Sequence, residues 1–270
     1  MLFLAMISTM AHKLKKPLKL ILITLFWFLV WEVASLIISK PLLFPSPVDA
    51  ISRLFELVAT KAFWENTLLS LGRVSLGIII AILLGTVFGL LCSFSKLLYD
   101  VLYPLITVIK STPVASFIIL IWIFIGNNAT PIVISALMVF PIVFANTYQG
   151  IKSIDKSMLE VCKVYKIPNK KVLTSLYLPS VLPYFSSALL SSIGLGWKAG
   201  IAAEVLCTPM RSIGRAIFDS KTYIEYTDLF AWTLTVIILS LVLEYLLTKL
   251  LKMVFNKHDI DAKGDKINGN

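Results

Sequence analysis

The chain has 270 residues, of which 58% are apolar and only 15% are charged, and its mean hydropathy is +0.87. An ordinary globular protein is about 45–50% apolar and about 25% charged. A monomer of this size cannot bury that excess, so the composition excludes a disordered or mainly water-facing protein and indicates one that faces lipid. The net charge of +10 would suit nucleic-acid binding, but nucleic acid would not account for the long apolar runs.

Six long apolar runs dominate the sequence. A helix needs about 20 apolar residues to cross the hydrocarbon core of a bilayer, and only helices and closed barrels can cross it. The runs are too long and too continuous for barrel strands, so they predict an all-α, polytopic membrane protein with six transmembrane helices. The predicted spans are 18–39, 67–92, 98–125, 131–149, 180–206 and 229–255.

The basic residues predict the orientation of these spans, because cytoplasmic loops are enriched in lysine and arginine. With the N-terminus inside, sixteen of the 25 basic residues fall on the inner side. The chain then divides into a cytoplasmic basic arm (1–17), a transmembrane domain (18–255) and a cytoplasmic polar tail (256–270). The first lysines follow the mildly apolar start instead of preceding it, so no cleaved signal is expected, and Met6 or Met10 is a hypothetical start of translation.

A short helix is predicted in the outer segment after the first span. Pro45-Ser46-Pro47-Val48-Asp49 supplies an N-cap serine, a proline at the first helical position and an aspartate at the third, which is typical of a capping box. Apolar residues then recur at helical spacing. The helix is interpreted as an amphipathic connector at the outer interface, with a substrate contact as the alternative.

The longest hydrophilic stretch between spans is the inner segment 150–179. A connection of this length is usually functional. The segment predicts two short helices, and Ile167-Pro168 ends the first because proline disfavours helix in the residue before it. The first helix has an apolar stripe of Met158, Leu159, Val161, Cys162 and Tyr165. Two interpretations stay open: the stripe docks in a partner's groove, or the helices rest on lipid headgroups.

A motif in this segment resembles that of the permease subunits of binding-protein-dependent ABC importers. The family motif reads E-A-A, three residues, G, nine residues, I-x-L-P. The sequence has Glu160-Val161-Cys162, then Lys166, then Leu176-Tyr177-Leu178-Pro179 at the same spacing. Glu160, Leu178 and Pro179 match the motif. Lys166 replaces the glycine at the local bend, and Pro168 offers a break two residues later.

The resemblance extends over nearly the whole chain and is greatest to the nitrate, sulfonate, taurine and thiamine-precursor branch. The matching segments, in order, are Trp31-Glu32, Pro45-Ser46-Pro47, Ser70-Leu71-Gly72-Arg73 with Gly77, Thr112-Pro113-Val114-Ala115, Gly126, 146–150 and 197–204. This ordered set is much more specific than the single motif.

The resemblance implies the fold of a type I ABC importer permease in a bacterial cytoplasmic membrane, with both termini cytoplasmic. Family members work with a second permease copy, two cytoplasmic ATPase subunits and an external solute-binding protein. By position, Glu160 would make a polar contact in the ATPase groove, and Val161 and Cys162 would pack beside it. The sequence has no G-x-x-x-x-G-K-[ST] motif, so ATP is expected on the partner subunits and no cofactor on this chain.

Charged residues inside the predicted spans are candidates for function, since each costs about 2.5–3.5 kcal/mol on insertion. They are Glu32, Lys110, Lys198, Glu204 and Glu244. Glu32 and Glu244 are expected to pair with other helices. Lys198 and Glu204 are six residues apart and do not share a helical face, so they are expected to contact different helices. Arg73 lies nearer an interface, where its side chain can reach water.

The predicted translocation path or gate comprises Lys110, Pro113, Gly196, Lys198, Gly200 and Glu204. Gly196 and Gly200 form a G-x-x-x-G pair, which fits a gate or close helix packing. Gly85 and Gly89 repeat the spacing in the second span, where packing is favoured. Pro113 lacks an N–H and predicts a kink in the third span. Lys110 beside that kink fits a contact with an anionic substrate, and equally fits a side chain that reaches a membrane surface.

No catalytic or metal site is predicted. The sequence has no paired carboxylates, no Ser/His/Asp set and no histidine cluster, and its three cysteines are too scattered for a disulfide framework. The predicted function is inward movement of a small solute by alternating access, coupled to ATP hydrolysis on partner subunits. The alternative is a secondary transporter driven by an ion gradient, which explains the charges in the spans but not the motif.

Overall fold

The structure is a computed structural model that describes residues 16–40 and 42–267, with side chains described from Leu18 to Leu251 (apart from residue 41) and at Met253. Most of the predicted basic arm, with the hypothetical starts at Met6 and Met10, lies outside the described residues. The last three residues of the predicted tail lie outside them as well.

The described ranges are helical and contain no β-strand, which confirms the all-α prediction. A five-residue π-helical turn, Leu173–Tyr177, joins the eighth and ninth helices. The helices are α1 (Lys16–Ile38), α2 (Pro47–Val58), α3 (Lys61–Phe94), α4 (Lys96–Ser111), α5 (Val114–Ile125), α6 (Thr130–Lys152), α7 (Lys156–Val164), α8 (Asn169–Val172), α9 (Leu178–Cys207), α10 (Ile213–Thr222) and α11 (Tyr226–Ile267).

Five of the six predicted spans are single long apolar helices. They are α1, α3, α6, the continuous stretch Asn169–Cys207 that ends with α9, and the first part of α11. The helix of the sixth predicted span, α11, continues to Ile267, well beyond the predicted end of its apolar run at residue 255. The predicted tail therefore begins as an extension of the last helix.

The third predicted span is not one helix. It divides into α4 and α5, whose axes differ in direction by 107°. The break falls at Thr112 and Pro113, because Pro113 has no N–H to donate and forces Thr112 into an extended conformation (ψ 135°). The predicted kink is therefore present, and it is sharp enough to turn a single span into a bent pair.

The core lies where α3, α6 and α9 pack together. Buried apolar side chains from all three helices meet there, among them Val74, Ile78, Val139, Val143 and Trp197. Small residues let the backbones approach. A Cβ at Gly85 would lie 2.9 Å from Val143 Cβ, and one at Gly89 would lie 2.9 Å from Thr147 Cβ. The packing interpretation of these two glycines is confirmed.

The outer connector α2 begins as the sequence predicts. Ser46 caps it by accepting the backbone N–H of Asp49 at 3.1 Å, and the Ser46 hydroxyl donates to the Asp49 carboxylate at 2.8 Å. Arg53 then donates two hydrogen bonds to Asp228, at 2.6 and 3.0 Å, near the start of α11. This bidentate pair fastens the connector to the last span.

Candidate coupling segment and solute path

The inner segment projects from the helical body. Its base is anchored by the buried Ile151 and Ile154, whereas α7 has no buried residue. Leu159 and Cys162 of the predicted stripe are half-buried. The rest of the stripe is exposed, with Met158 at 56% and Tyr165 at 76%. An apolar face on a protruding helix is the geometry that helix-in-groove docking requires.

α7 carries one carboxylate at its start and another in its middle. Asp155 is the N-cap, and its carboxylate accepts the backbone N–H of Ser157 at 2.9 Å. That hydrogen bond lowers the pKa of the exposed Asp155 carboxyl below its usual value. Glu160 is exposed in the middle of the helix, beside the exposed Val161. The segment therefore presents a carboxylate next to apolar surface.

Lys166, which replaces the glycine of the family motif, takes a backbone conformation that favours glycine. Its φ is +48°, in the left-handed region. Around it, the Lys166 N–H donates to the Lys163 carbonyl at 3.1 Å, and the Ile167 N–H donates to the Cys162 carbonyl at 2.9 Å. These two bonds make a Schellman motif that ends α7. The bend therefore lies at Lys166 itself, two residues before the break expected at Pro168.

The segment is attached to two spans at once. It begins at the end of α6 and returns through Leu178 and Pro179, which open α9. Gly150 brings these ends together, because a Cβ there would lie 3.2 Å from Tyr184 Cβ and from Val181 Cα. A displacement of α7 would therefore move the ends of α6 and α9 that adjoin the segment.

A buried charged cluster lies near the other end of α9. The Glu204 side chain is fully buried, and its Oε2 accepts the Ser70 hydroxyl at 2.6 Å and the Gly214 N–H at 3.2 Å. Ser70 also accepts the Ile213 N–H at 2.8 Å. The carboxylate thus joins α3 and α9 to the first turn of α10, where the helix dipole favours a negative charge.

Arg73 completes this cluster, which sequence reasoning missed. Its Nη1 lies 3.5 Å from Glu204 Oε1, and its side chain is only 15% exposed. The same guanidinium donates to the carbonyls of Met210 and Arg211. Arg73 thus contacts both the buried Glu204 and two exposed carbonyls, and its place near an interface stays a prediction. The one available signal was that both residues sit near the same end of neighbouring antiparallel spans.

The predicted path glycines pack against other helices. A Cβ at Gly196 would lie 2.6 Å from Val139 Cγ2, and one at Gly200 would lie 2.6 Å from Val74 Cγ2. The structure therefore places Gly196 and Gly200 in the contact of α9 with α3 and α6. A role for them in a gate stays a prediction.

Lys110 lines a cavity of about 380 Å³ between α4 and α6. Hydroxyl, amide and aromatic groups share this lining, including Tyr99, Tyr103, Thr107, Tyr148 and Gln149. Lys198 lies on an exposed face of α9 and Pro113 at the α4–α5 break. The predicted path residues therefore do not form one site, and Lys110 is the one that lines this cavity.

Comparison with known proteins places this arrangement in a family. Residues 77–257 match the family described as the inner membrane component of binding-protein-dependent transport systems. The chain belongs to this family. The permease is 26% identical over 238 residues to a probable ABC transporter permease of Haemophilus influenzae, covering 87% of this chain and 95% of that protein. It is 30% identical over 220 residues to a nitrate import permease of Synechococcus elongatus, covering 77% and 78%.

Further relatives and solved structures agree with the branch and the fold. Permeases named for aliphatic sulfonates, taurine and formylaminopyrimidine match the chain, from Bacillus subtilis, Escherichia coli and Halalkalibacterium halodurans. A bacterial ABC transporter involved in the import of alginate superposes with a TM-score of 0.61 at 16% identity, covering 87% of this permease and 94% of that chain. The fold is that of an ABC importer permease.

These findings decide between the two predicted classes of transporter. The chain is a multi-pass membrane permease subunit of an ABC importer, in the nitrate, sulfonate, taurine and thiamine-precursor branch. The alternative of a secondary transporter receives no support. Membership of the family implies partnership with an ATPase and a solute-binding component.

Proposed function

We propose that this permease moves a small solute inward by alternating access, driven by two ATPase subunits that dock on α7. The exposed apolar face of α7 carries the proposal, with Glu160 beside it. Closure of the ATPases on ATP would displace α7. Because the segment is attached to α6 and α9 at Gly150, the displacement would rock these two spans around the path.

The proposed assembly contains two copies of this chain and an external solute-binding protein. Both termini lie in the cytoplasm in this arrangement, as the excess of inner lysines favours. The inner segment then faces the ATPases, and α2 and α10 face the binding protein. ATP is bound by the partner subunits, consistent with the missing P-loop motif.

The proposed path includes the cavity beside Lys110. Its lining offers one ammonium group, hydroxyls and an amide, which suit a small polar solute. The ammonium favours a solute with a negative charge over a neutral one. Lys110→Gln tests the assignment: the transport rate of an anionic solute should fall, whereas that of a neutral solute should change little.

Co-purification is the direct test of the function. An ATPase chain should accompany the tagged permease from detergent-solubilised membranes. In vesicles that contain the complex, the solute-loaded binding protein should stimulate ATP hydrolysis, and collapse of the ion gradients should not abolish uptake. Uptake that needs a proton or sodium gradient and no ATP would contradict the proposal.

A further inference from the structure

Two charged side chains stay exposed along neighbouring spans, outside the clusters described above. Lys198 lies on α9, nine residues before its end at Cys207, and Glu244 lies on α11. A charge that faces hydrocarbon is expensive, so each group needs an opposite charge or a polar environment. In the described part of the chain, no ion pair within 4.0 Å includes either of them.

The packing of α9 on α11 brings the Glu244 carboxylate to α9. The Trp197 indole N–H donates to the Val236 carbonyl at 3.1 Å and fixes the register of the two helices. One helical turn before Lys198, a Cβ at Gly194 would lie 2.7 Å from Glu244 Oε1. The carboxylate therefore lies directly against the backbone of α9 at Gly194, where an added side chain would require the end of Glu244 to move aside.

The directions of the two side chains converge on this point. Gly194 and Lys198 are four residues apart, so they share a face of α9. Side chains on a helix lean towards its N-terminus, and the long stem of Lys198 therefore extends back over the turn that contains Gly194. The two helices are antiparallel, so Glu244 leans in the opposite direction, towards Lys198.

We propose that Glu244 is the counter-ion of Lys198 and bridges spans five and six over Gly194. The pair neutralises Lys198 within the membrane, and Gly194 lets the Glu244 carboxylate lie against the backbone of α9. It also leaves Lys110 as the cation next to the solute cavity. The inference depends on the membrane location of the two helices and not on the proposed transport mechanism, so its failure would leave that mechanism standing.

A double-mutant cycle on the full permease in detergent tests the pair. Lys198→Met and Glu244→Gln should each lower Tm by about 2–4 °C, since each leaves one unpaired charge. The double variant should lie closer to the wild type than the sum of the two shifts. Strict additivity would overturn the proposal. The matched control combines Lys198→Met with Glu32→Gln on α1, and its two shifts should add.

Cross-linking in membranes gives an answer even if a charge variant folds poorly. In a background with Cys92, Cys162 and Cys207 changed to serine, Lys198→Cys and Glu244→Cys should be joined by a short bis-maleimide reagent. Lys198→Cys with Glu32→Cys should not be joined. Failure of the first pair to cross-link, with both thiols shown to be reactive, would contradict the proposed contact.

Discussion

At the scale of single residues, Glu204 shows how this permease tolerates a charge inside its body. The carboxylate is fully buried, but it accepts hydrogen bonds from Ser70 and Gly214 and lies near the Arg73 guanidinium. A buried charge of this kind costs several kcal/mol to desolvate, and it persists only when such partners compensate for that loss. The cluster holds α10 against the ends of α3 and α9.

Removal of the Glu204 carboxylate should therefore destabilise the permease. Glu204→Ala leaves Arg73 without its counter-ion and the Ser70 and Gly214 donors without their acceptor, and the expected loss of unfolding free energy is about 3–5 kcal/mol. Glu204→Gln keeps an oxygen for Ser70 and Gly214 and should lose less. Denaturant unfolding in detergent measures both variants. Equal losses for alanine and glutamine would show that the hydrogen bonds of the carboxylate do not matter.

A second prediction at this scale concerns Gly200. A Cβ there would meet the Ser135 hydroxyl and lie 2.6 Å from Val74 Cγ2. Gly200→Ala should therefore cost about 1–3 kcal/mol of unfolding free energy through overpacking. Gly72→Ala is the matched control on α3, because a Cβ there has no atom within 4 Å, and it should stabilise its helix by about 0.5–1 kcal/mol. Denaturant unfolding in detergent measures both variants, and the two changes in unfolding free energy should have opposite signs.

At the scale of helices, the left-handed residue that ends α7 is a lysine, whereas the family motif has a glycine at this position. Lys166 holds a left-handed conformation that costs a non-glycine residue about 1–2 kcal/mol. Lys166→Gly should therefore order the segment and slow amide hydrogen exchange in α7. Lys163→Gly, inside the helix, should have the opposite effect, since glycine costs about 1 kcal/mol there. Faster exchange in Lys166→Gly would contradict the Schellman assignment.

The start of α7 should respond to pH. Folding lowers the pKa of Asp155, because the carboxylate accepts the Ser157 N–H. The stabilising effect of the cap is complete above the ordinary pKa of an aspartate and is lost as the pH falls through the lowered value. Protection of the Ser157 amide, corrected for intrinsic exchange, should decline over that acidic window. Asp155→Asn keeps a neutral cap and should show no such decline.

The helices were predictable to different degrees for physical reasons. Hydropathy located the long spans, and the residues at 45–49 predicted the capped start of α2, since both signals are local. The break at Pro113 was predicted as a kink, and its 107° bend depends on packing that the sequence does not display. The motif likewise indicated the inner segment as the proposed coupling site. It did not predict a left-handed lysine, because the conformation of Lys166 is fixed by the hydrogen bonds around it.

At the scale of the whole molecule, composition and lysine distribution predicted the membrane class, and the motif predicted the family. The Ser70–Glu204 contact was beyond reach, because it joins residues 134 positions apart whose pairing depends on how α3 packs on α9. The same holds for the cavity beside Lys110, which exists only where α4 meets α6. The described residues therefore add the tertiary contacts through which a movement of α7 would reach the spans.

The most direct test of the central claim is ATP hydrolysis in vesicles that contain the Glu160→Lys complex. Charge reversal at this exposed position should abolish stimulation by the solute-loaded binding protein, because it would place a cation where the proposed docking puts a carboxylate in the ATPase groove. Glu56→Lys, the same reversal on the outer helix α2, should leave co-purification of the ATPase unchanged. Normal stimulation of ATP hydrolysis in Glu160→Lys would contradict coupling through α7.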